Sequence, residues 1–381
     1  MATASPDPAR WRAEFPILET RTYLNSCSLG ALSRRSEAYL DDFRARWHAM
    51  GAPAWYEHWL GRIEELRAKV ARFLGTQATS LALLPSTSAA LSVIAESVDY
   101  TRRNRVVTTE LDFPTVPYQW TVKKEVEVVV LRSADGVRVL PEQFAEVVDE
   151  RTAFVATSHV YFTTGWIQDV EALAEIAHAA GAYCLVDGYQ SVGQIPVDLG
   201  ASAVDAYTSG PLKWLLGGPG LAYLHVRPEL IRTLEPRITS WFATTDPFAF
   251  DPEGFAYRED ARRFEMGTPS LPTVHTALGG QEIMEEVGIE AIARRNRELT
   301  EHLVAGARDA GFRLRVAQEP ERRSAIVMIA HDDPAGAVAH LAARGVIVDH
   351  RPGHVRVSPH FYNTAEDVER MLEVLIGYAR P

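Results

Sequence analysis

The chain has 381 residues, 46% of them hydrophobic and 23% charged, the composition of an ordinary globular protein with enough apolar mass for two packed domains. Its 39 basic and 50 acidic residues leave a formal net charge of −11, which argues against nucleic acid or an anionic membrane surface as partner, and arginine pairs such as Arg34-Arg35 and Arg322-Arg323 stand beside acids. Residues 1–10 lack the apolar core of a signal peptide and no apolar run nears a membrane span, so a cytoplasmic protein is expected; two cysteines, Cys27 and Cys184, are too few for a disulfide framework or a thiolate metal site, and no metal is expected.

Along the chain, short β-branched runs alternate with longer amphipathic stretches, the pattern of a parallel sheet covered by helices. Strands are expected over Leu81–Leu84, Arg105–Thr108, Glu127–Leu131, Ala153–Ser158, Tyr183–Asp187, Ala203–Thr208 and Leu221–Val226. Helices are expected over Ala89–Val98, Phe144–Val148 and Val170–Ala180, the last with apolar residues at Val170, Leu173, Ile176 and Ala177 and a terminating Gly181. Residues 246–260, rich in Pro, Gly and aromatics, read as a structured loop. After about Phe255 the texture changes to helical patterns over Thr273–Val287 and Ile289–Ala310. Then come Ser324–Ala330, Pro334–Arg344, Val346–Asp349, Val355–Ser358 and a closing helix Ala365–Ala379, the order of a smaller α/β domain. The expected division is an N-terminal arm (1–20), a large domain (21–255) and a small C-terminal domain (256–381).

Lysine is scarce: Lys69, Lys123, Lys124 and Lys213 stand against 35 arginines. Lys213 lies between two expected strands, flanked by apolar residues and followed by Gly217, Gly218 and Gly220, where a desolvated nucleophilic amine can be built. The competing reading is a surface lysine in a loop. Asp187 ends an expected buried strand, the edge at which open α/β sheets bind ligands, and an acid there can pair with a protonated ring nitrogen; it can equally cap a helix. Ser86, Thr87 and Ser88 follow a strand and open a helix, so hydroxyls, free N–H groups and the helix dipole converge as they would on a phosphate, or merely cap the helix.

Hydroxyl-rich helix start, aromatic turn, strand-end aspartate, lysine and late arginine occur in one order. In this the chain resembles the class V aminotransferase branch of the fold type I enzymes that use pyridoxal 5'-phosphate (PLP), and within it the kynureninase-like group. The resemblance spans nearly all of the chain; its most specific stretches are Asp112-Phe-Pro-Thr115, Lys213-Trp-Leu-Leu-Gly-Gly-Pro-Gly220, Arg263-Phe-Glu-Met-Gly-Thr-Pro269 and Asp349-His-Arg-Pro352 with Arg356. It implies an α/β fold with a mostly parallel seven-stranded sheet in the large domain and a smaller C-terminal α/β domain. It also implies that Lys213 is the Schiff-base lysine and moves the Cα proton, that Asp187 pairs with the pyridine nitrogen, that Phe113 stacks on the ring and that Thr87 and Ser88 hold the phosphate. Gln190 would meet the phenolic oxygen, Trp241 and Thr268 would reach the phosphate of a neighbouring subunit in a homodimer, and Arg356, with Asn25, would bind the amino-acid substrate. His159, at a strand end, is either near the site or a satisfied buried histidine.

The chain departs from kynureninases at Gln190, where they carry histidine, at Val116, where they carry a second aspartate, and at Pro211-Leu212, where a hydroxyl residue and a tyrosine precede the lysine. A cysteine desulfurase needs a cysteine in the smaller domain, and neither Cys27 nor Cys184 lies there. The expectation is therefore a PLP enzyme that removes a Cα substituent into the ring's electron sink as a kynureninase-like lyase or hydrolase on an amino acid with a functionalised side chain. An aminotransferase is the alternative, and a non-catalytic binding or regulatory module the third reading.

Overall fold

The computed structural model describes residues 6–379; the first five residues of the expected N-terminal arm and the last two of the chain lie outside the described residues. Seven strands, β1 (Leu81–Leu84), β2 (Arg105–Thr109), β3 (Glu127–Leu131), β4 (Thr152–Ser158), β5 (Tyr183–Asp187), β6 (Ala206–Ser209) and β7 (Ala222–Val226), form one sheet. The five from β4 to β7 and β1 are buried almost throughout, which is why their sequences run apolar without alternation. The order is β1-β7-β6-β5-β4-β2-β3, parallel apart from β7, which is antiparallel to both its neighbours.

Among the described residues, the longer helices that carry the packing are α1 (Arg34–Met50), α2 (Leu60–Phe73), α3 (Thr87–Ala95), α4 (Thr115–Thr121), α5 (Val170–Ala179), α6 (Leu271–Val287), α7 (Ile289–Asp309), α8 (Pro334–Ala343) and α9 (Ala365–Ala379). One face of the sheet is covered by α1, α2, α5 and α6, through Phe43, Leu66, Val70, Leu173, Val274 and Leu278. The other face is covered by α3 and α4, through Leu91, Ile94, Val116 and Trp120. A second sheet of four antiparallel strands, β8 (Leu314–Arg315), β9 (Val327–Ala330), β10 (Asp349–Arg351) and β11 (His354–Val357), has the order β10-β11-β9-β8. Its core joins Val357 and Ile329 to Leu303 of α7, Leu341 of α8 and Met371 of α9.

Residues 22–30 stitch the two sheets together. Thr22–Tyr23 pair in parallel with Val346–Ile347, Asn25 bridges Ser358, and the Gly30 N–H reaches the Leu212 carbonyl at 2.9 Å. A Cβ on Gly30 would stand 2.2 Å from the Lys213 carbonyl oxygen, so only glycine lets this segment lie against the loop after β6.

The α/β architecture with its seven-stranded, mostly parallel sheet is the one expected. The helix expected over Phe144–Val148 instead occupies Pro141–Ala145, because Pro141 is preset for a first turn and the Gln143 side chain accepts the Leu140 N–H at 3.0 Å. Residues 246–260 hold no helix, only a bridge from Tyr257 to Thr244. No helix among the described residues is long and apolar enough to cross a membrane.

Candidate active site

The carboxyl ends of β2, β4 and β5 and the loop after β6 open onto one cavity of about 260 Å³, at the sheet edge where parallel α/β folds place ligands. The amino end of α3 forms one wall. Ser86 Oγ caps the helix by accepting the Ala89 N–H at 3.1 Å, which leaves the N–H groups of Thr87 and Ser88 and the positive end of the helix dipole at the cavity wall. Thr87 Oγ1 is buried without a hydrogen-bond partner, and Ser88 Oγ lies 2.6 Å from Thr115 Oγ1. A buried orphan hydroxyl at a helix start is incomplete until an acceptor arrives.

Phe113 enters from the turn after β2, and the neighbouring Asp112 fixes that turn. One oxygen of Asp112 accepts from Thr108 Oγ1, Thr109 N–H and Thr109 Oγ1; the other accepts from Thr157 Oγ1 and Ser158 N–H. Burial pushes this carboxyl up, and those donors oppose the shift. The turn is thus tied to the ends of both β2 and β4, leaving Phe113 45% exposed over the cavity with its ring edge-on to Phe162 at 5.1 Å.

Asp187 ends β5, with Oδ1 accepting the Tyr189 N–H at 2.9 Å. Burial raises its pKa to about 6, against the pull of that hydrogen bond and of Lys213. Lys213 follows β6 by four residues. Burial lowers its amine to about 8; Cys27 and Asp187 oppose the shift, while Arg356 and Arg351 add to it. Its Nζ stands 4.9 Å from the centre of the Tyr189 ring. Gln190 also lines the cavity, with its amide engaged at both ends: Nε2 donates to the Cys27 carbonyl at 3.0 Å and Oε1 accepts the Trp214 indole N–H at 2.8 Å.

Arg356, on β11, is 1% exposed and stands behind this wall. Its Nη2 donates to Ser28 Oγ at 2.7 Å and to Asp349 Oδ2 at 2.8 Å, while Nη1 reaches the Phe162 carbonyl at 3.3 Å and Nε has no partner. Partial burial pushes Asp349 up, but the His350 N–H and the charges of Arg351 and Arg356 outweigh it and bring it to about 2. Asn25 also lies outside the cavity wall, its Oδ1 4.0 Å from Cys27 Sγ.

Six of the residues singled out in the sequence, Thr87, Ser88, Phe113, Asp187, Gln190 and Lys213, therefore surround one space. Trp241 and Thr268 do not reach it within one chain; both lie at the surface, Trp241 stacked on Phe250 at 6.2 Å. His159 proves to be a satisfied histidine outside the cavity: Nδ1 is 2.8 Å from Tyr207 Oη, and burial lowers its pKa to about 4. Thr115, Ser158, Phe162 and Tyr189 line the cavity and were not expected from the sequence. The signal available was position alone, since Ser158 ends β4 and Tyr189 follows the end of β5 by two residues.

An α/β sheet that brings a buried acid, a desolvated lysine and an open helix start to one cavity defines an enzyme site for an anionic cofactor that captures amines. The profile of the family described as aminotransferase class-V matches residues 31–371, and the chain belongs to this family of PLP-dependent enzymes. It is 33% identical over 367 residues to an uncharacterized aminotransferase of Bacillus subtilis, covering 96% of both chains. It is also 29% identical over 390 residues to a kynureninase of Shouchella clausii, covering 97% of this chain and 91% of that one. Among solved structures, an apo cysteine desulfurase from Thermococcus onnurineus superposes with a TM-score of 0.88 at 22% identity, covering 99% of each chain, a likeness of fold alone. That fold is the fold type I architecture of PLP enzymes, and pyridoxal 5'-phosphate is the cofactor.

The residues present fit that group. A phosphate would supply the acceptor that Thr87 Oγ1 lacks and that the start of α3 favours, a ring in the cavity would meet Phe113 on its wall, and Lys213 offers an amine in the cavity that Asp187 also lines.

Proposed function

We propose that the protein acts at the Cα of an amino acid, as a kynureninase-like lyase or hydrolase on a substrate with a functionalised side chain. The observation that carries this reading is the meeting of Lys213, its amine lowered to about 8, with the buried Asp187 in one cavity whose further walls are Phe113, Val160 and Phe162. Bound PLP supplies the electron sink for the bond broken at Cα. Lys213 would hold the cofactor and, with its amine lowered to about 8, would take and return the Cα proton. Asp187, ionised above about pH 6, keeps a proton on the ring nitrogen. Thr87, Ser88 and the start of α3 would hold the phosphate, Phe113 would pack against the ring, and the Gln190 amide N–H not donated to Cys27 would be available to the phenolic oxygen.

Arg356 binds the substrate carboxylate, for which its unpartnered Nε and loosely held Nη1 are available, and Asn25 lies on the same side. The aromatic wall of Phe113 and Phe162 favours an uncharged side chain. Trp241 and Thr268 complete a phosphate site of the neighbouring subunit in a homodimer, for which the exposed rings of Trp241, Phe248 and Phe250 offer an apolar surface. The proposed division is a large domain, residues 21–255, and a small domain, 256–381, with α6 (Leu271–Val287) of the second part packed back onto the large sheet, and the enzyme works in the cytoplasm.

An aminotransferase is the second reading, favoured by the 33% identity to a protein of that description. Val116, on the buried face of α4, packs into the core, so it offers no counterpart to the second aspartate of kynureninases. A persulfide relay is disfavoured: Cys27 and Cys184 are both buried, Cys184 inside β5. Incubating the loaded enzyme with a pool of L-amino acids that includes kynurenine, with mass detection of products, separates the readings. A lyase or hydrolase releases a side-chain fragment through many turnovers. A transaminase stops after one turnover until a keto acid is added, and that outcome would replace the first reading by the second.

A further inference from the structure

Lys213 makes no hydrogen bond or ion pair through Nζ among the described residues, and Nζ stands over the face of Tyr189, 4.9 Å from the ring centre. A cation over an aromatic face is stabilised by the ring's quadrupole, most strongly where water is excluded. The ring is held in place from two sides. Its own backbone N–H is bonded to Asp187 Oδ1 at 2.9 Å, and it fills the space beside Gly210, where a Cβ would stand 2.6 Å from Tyr189 Cε2 and 3.1 Å from its hydroxyl. Glycine at 210 is thus the residue that admits a large ring beneath the lysine. The same Cβ would also meet the Leu221 carbonyl at 2.9 Å, which further bars a side chain there.

We propose that Tyr189 is a positioning residue for Lys213, its ring face holding the lysine nitrogen over the cavity and favouring the charged state of that nitrogen, free or linked to the cofactor. This rests on the reading that Lys213 carries the cofactor. The charged and titratable groups that face Lys213 are Asp187 from the end of β5, Cys27 from the segment 22–30, and Arg356 and Arg351 from the β10-β11 hairpin. Asp349 pairs with both guanidinium groups and offsets part of their charge, and Asp187 makes no direct ion pair with Nζ, so no salt bridge stabilises the charge on the lysine nitrogen. The Tyr189 ring is an uncharged group that supplies part of that stabilisation without offering a base that would remove the proton.

The test is a pH titration of the visible absorbance of PLP bound to the full chain, for wild type, Tyr189→Phe and Tyr189→Leu, with melting temperatures recorded alongside. Tyr189→Phe keeps the ring and is expected to titrate with wild type. Tyr189→Leu is expected to move the midpoint down by about one pH unit, the size of a partly desolvated cation–ring contact. Should the Leu variant melt early or fail to hold PLP, Tyr189→Met supplies a longer side chain and is expected to show the same shift. A Leu or Met variant that titrates with wild type, or a Phe variant that shifts as far as they do, overturns the proposal. The underlying assignment fails separately: it falls if Lys213→Ala shows the same titrating band as wild type.

Discussion

Burying Asp187 at the end of β5 raises its carboxyl from 3.8 to about 6, so over that interval the folded apoprotein holds a proton that the unfolded chain has already released. Stability therefore falls as the pH climbs through the interval, and the penalty is fully present above pH 6. A gap of roughly two units corresponds to roughly 3 kcal/mol as an upper bound. Asp187→Asn keeps an oxygen for the Tyr189 N–H and has no charge to bury, so its apoprotein is expected to be more stable than wild type at pH 7.5 and no more stable at pH 4. Urea denaturation at the two pH values measures this, and a wild type that is the more stable at pH 7.5 contradicts it. The same variant is expected to bind PLP roughly 10- to 100-fold more weakly, the worth of a hydrogen bond to a charged group. Lys213 follows the same logic with the other sign of charge. Its amine, lowered from 10.5 to about 8, adds a penalty that is full below pH 8 and relieved as the pH rises toward 10.5.

At the scale of elements, the amino end of α3 separates folding from binding within three residues. Ser86 Oγ serves the helix by capping Ala89, so Ser86→Ala is expected to cost about 1 kcal/mol of stability. Thr87 Oγ1 serves nothing in the protein, so Thr87→Val is expected to leave the melting temperature nearly unchanged and to raise the PLP dissociation constant by roughly tenfold or more. Calorimetry and cofactor titration on the two variants check the division, which fails if Thr87→Val melts as early as Ser86→Ala. Elements of this kind were legible in the sequence because their signals are local. The strands Leu81–Leu84, Glu127–Leu131 and Tyr183–Asp187 have the expected bounds, since each is a short β-branched or apolar run closed by turn or charged residues, whether buried as β1 and β5 are or at the sheet edge as β3 is. Helix α1 was not marked, because its seventeen residues bury only Ser36 and Phe43 and its charged surface hides the period. The site divides in the same way. Lys213, Asp187 and the α3 hydroxyls are each marked by what immediately precedes or follows them. Tyr189 against Gly210, and Ser28 with Asp349 on Arg356, are made by folding across tens or hundreds of residues, and no local pattern announces them.

For the whole molecule, the loop from Trp241 to Tyr257 carries an aromatic surface that one chain leaves uncovered. Trp241 is 38% exposed, Phe250 70%, and Tyr56 of the segment between α1 and α2 packs on Phe248 at 5.9 Å while itself remaining open to solvent. Clustered exposed rings of this kind mark an association surface more often than a free one. On the proposed reading a second copy covers them, and Trp241 and Thr268 then stand near that copy's phosphate site. Cofactor binding should in that case depend on protein concentration, since a chain diluted to a monomer loses part of its phosphate site. Equilibrium dialysis of PLP at a series of enzyme concentrations, with sedimentation velocity on the same samples, is expected to show affinity falling together with the dimer fraction. Phe250→Ser, which breaks the cluster away from the phosphate, should move both curves to higher concentration. Thr268→Val should weaken PLP binding at concentrations where the protein stays dimeric, because it removes a hydroxyl without touching the apolar surface. A monomer that binds PLP as tightly as the most concentrated sample would remove the shared site and leave each chain's cavity complete in itself.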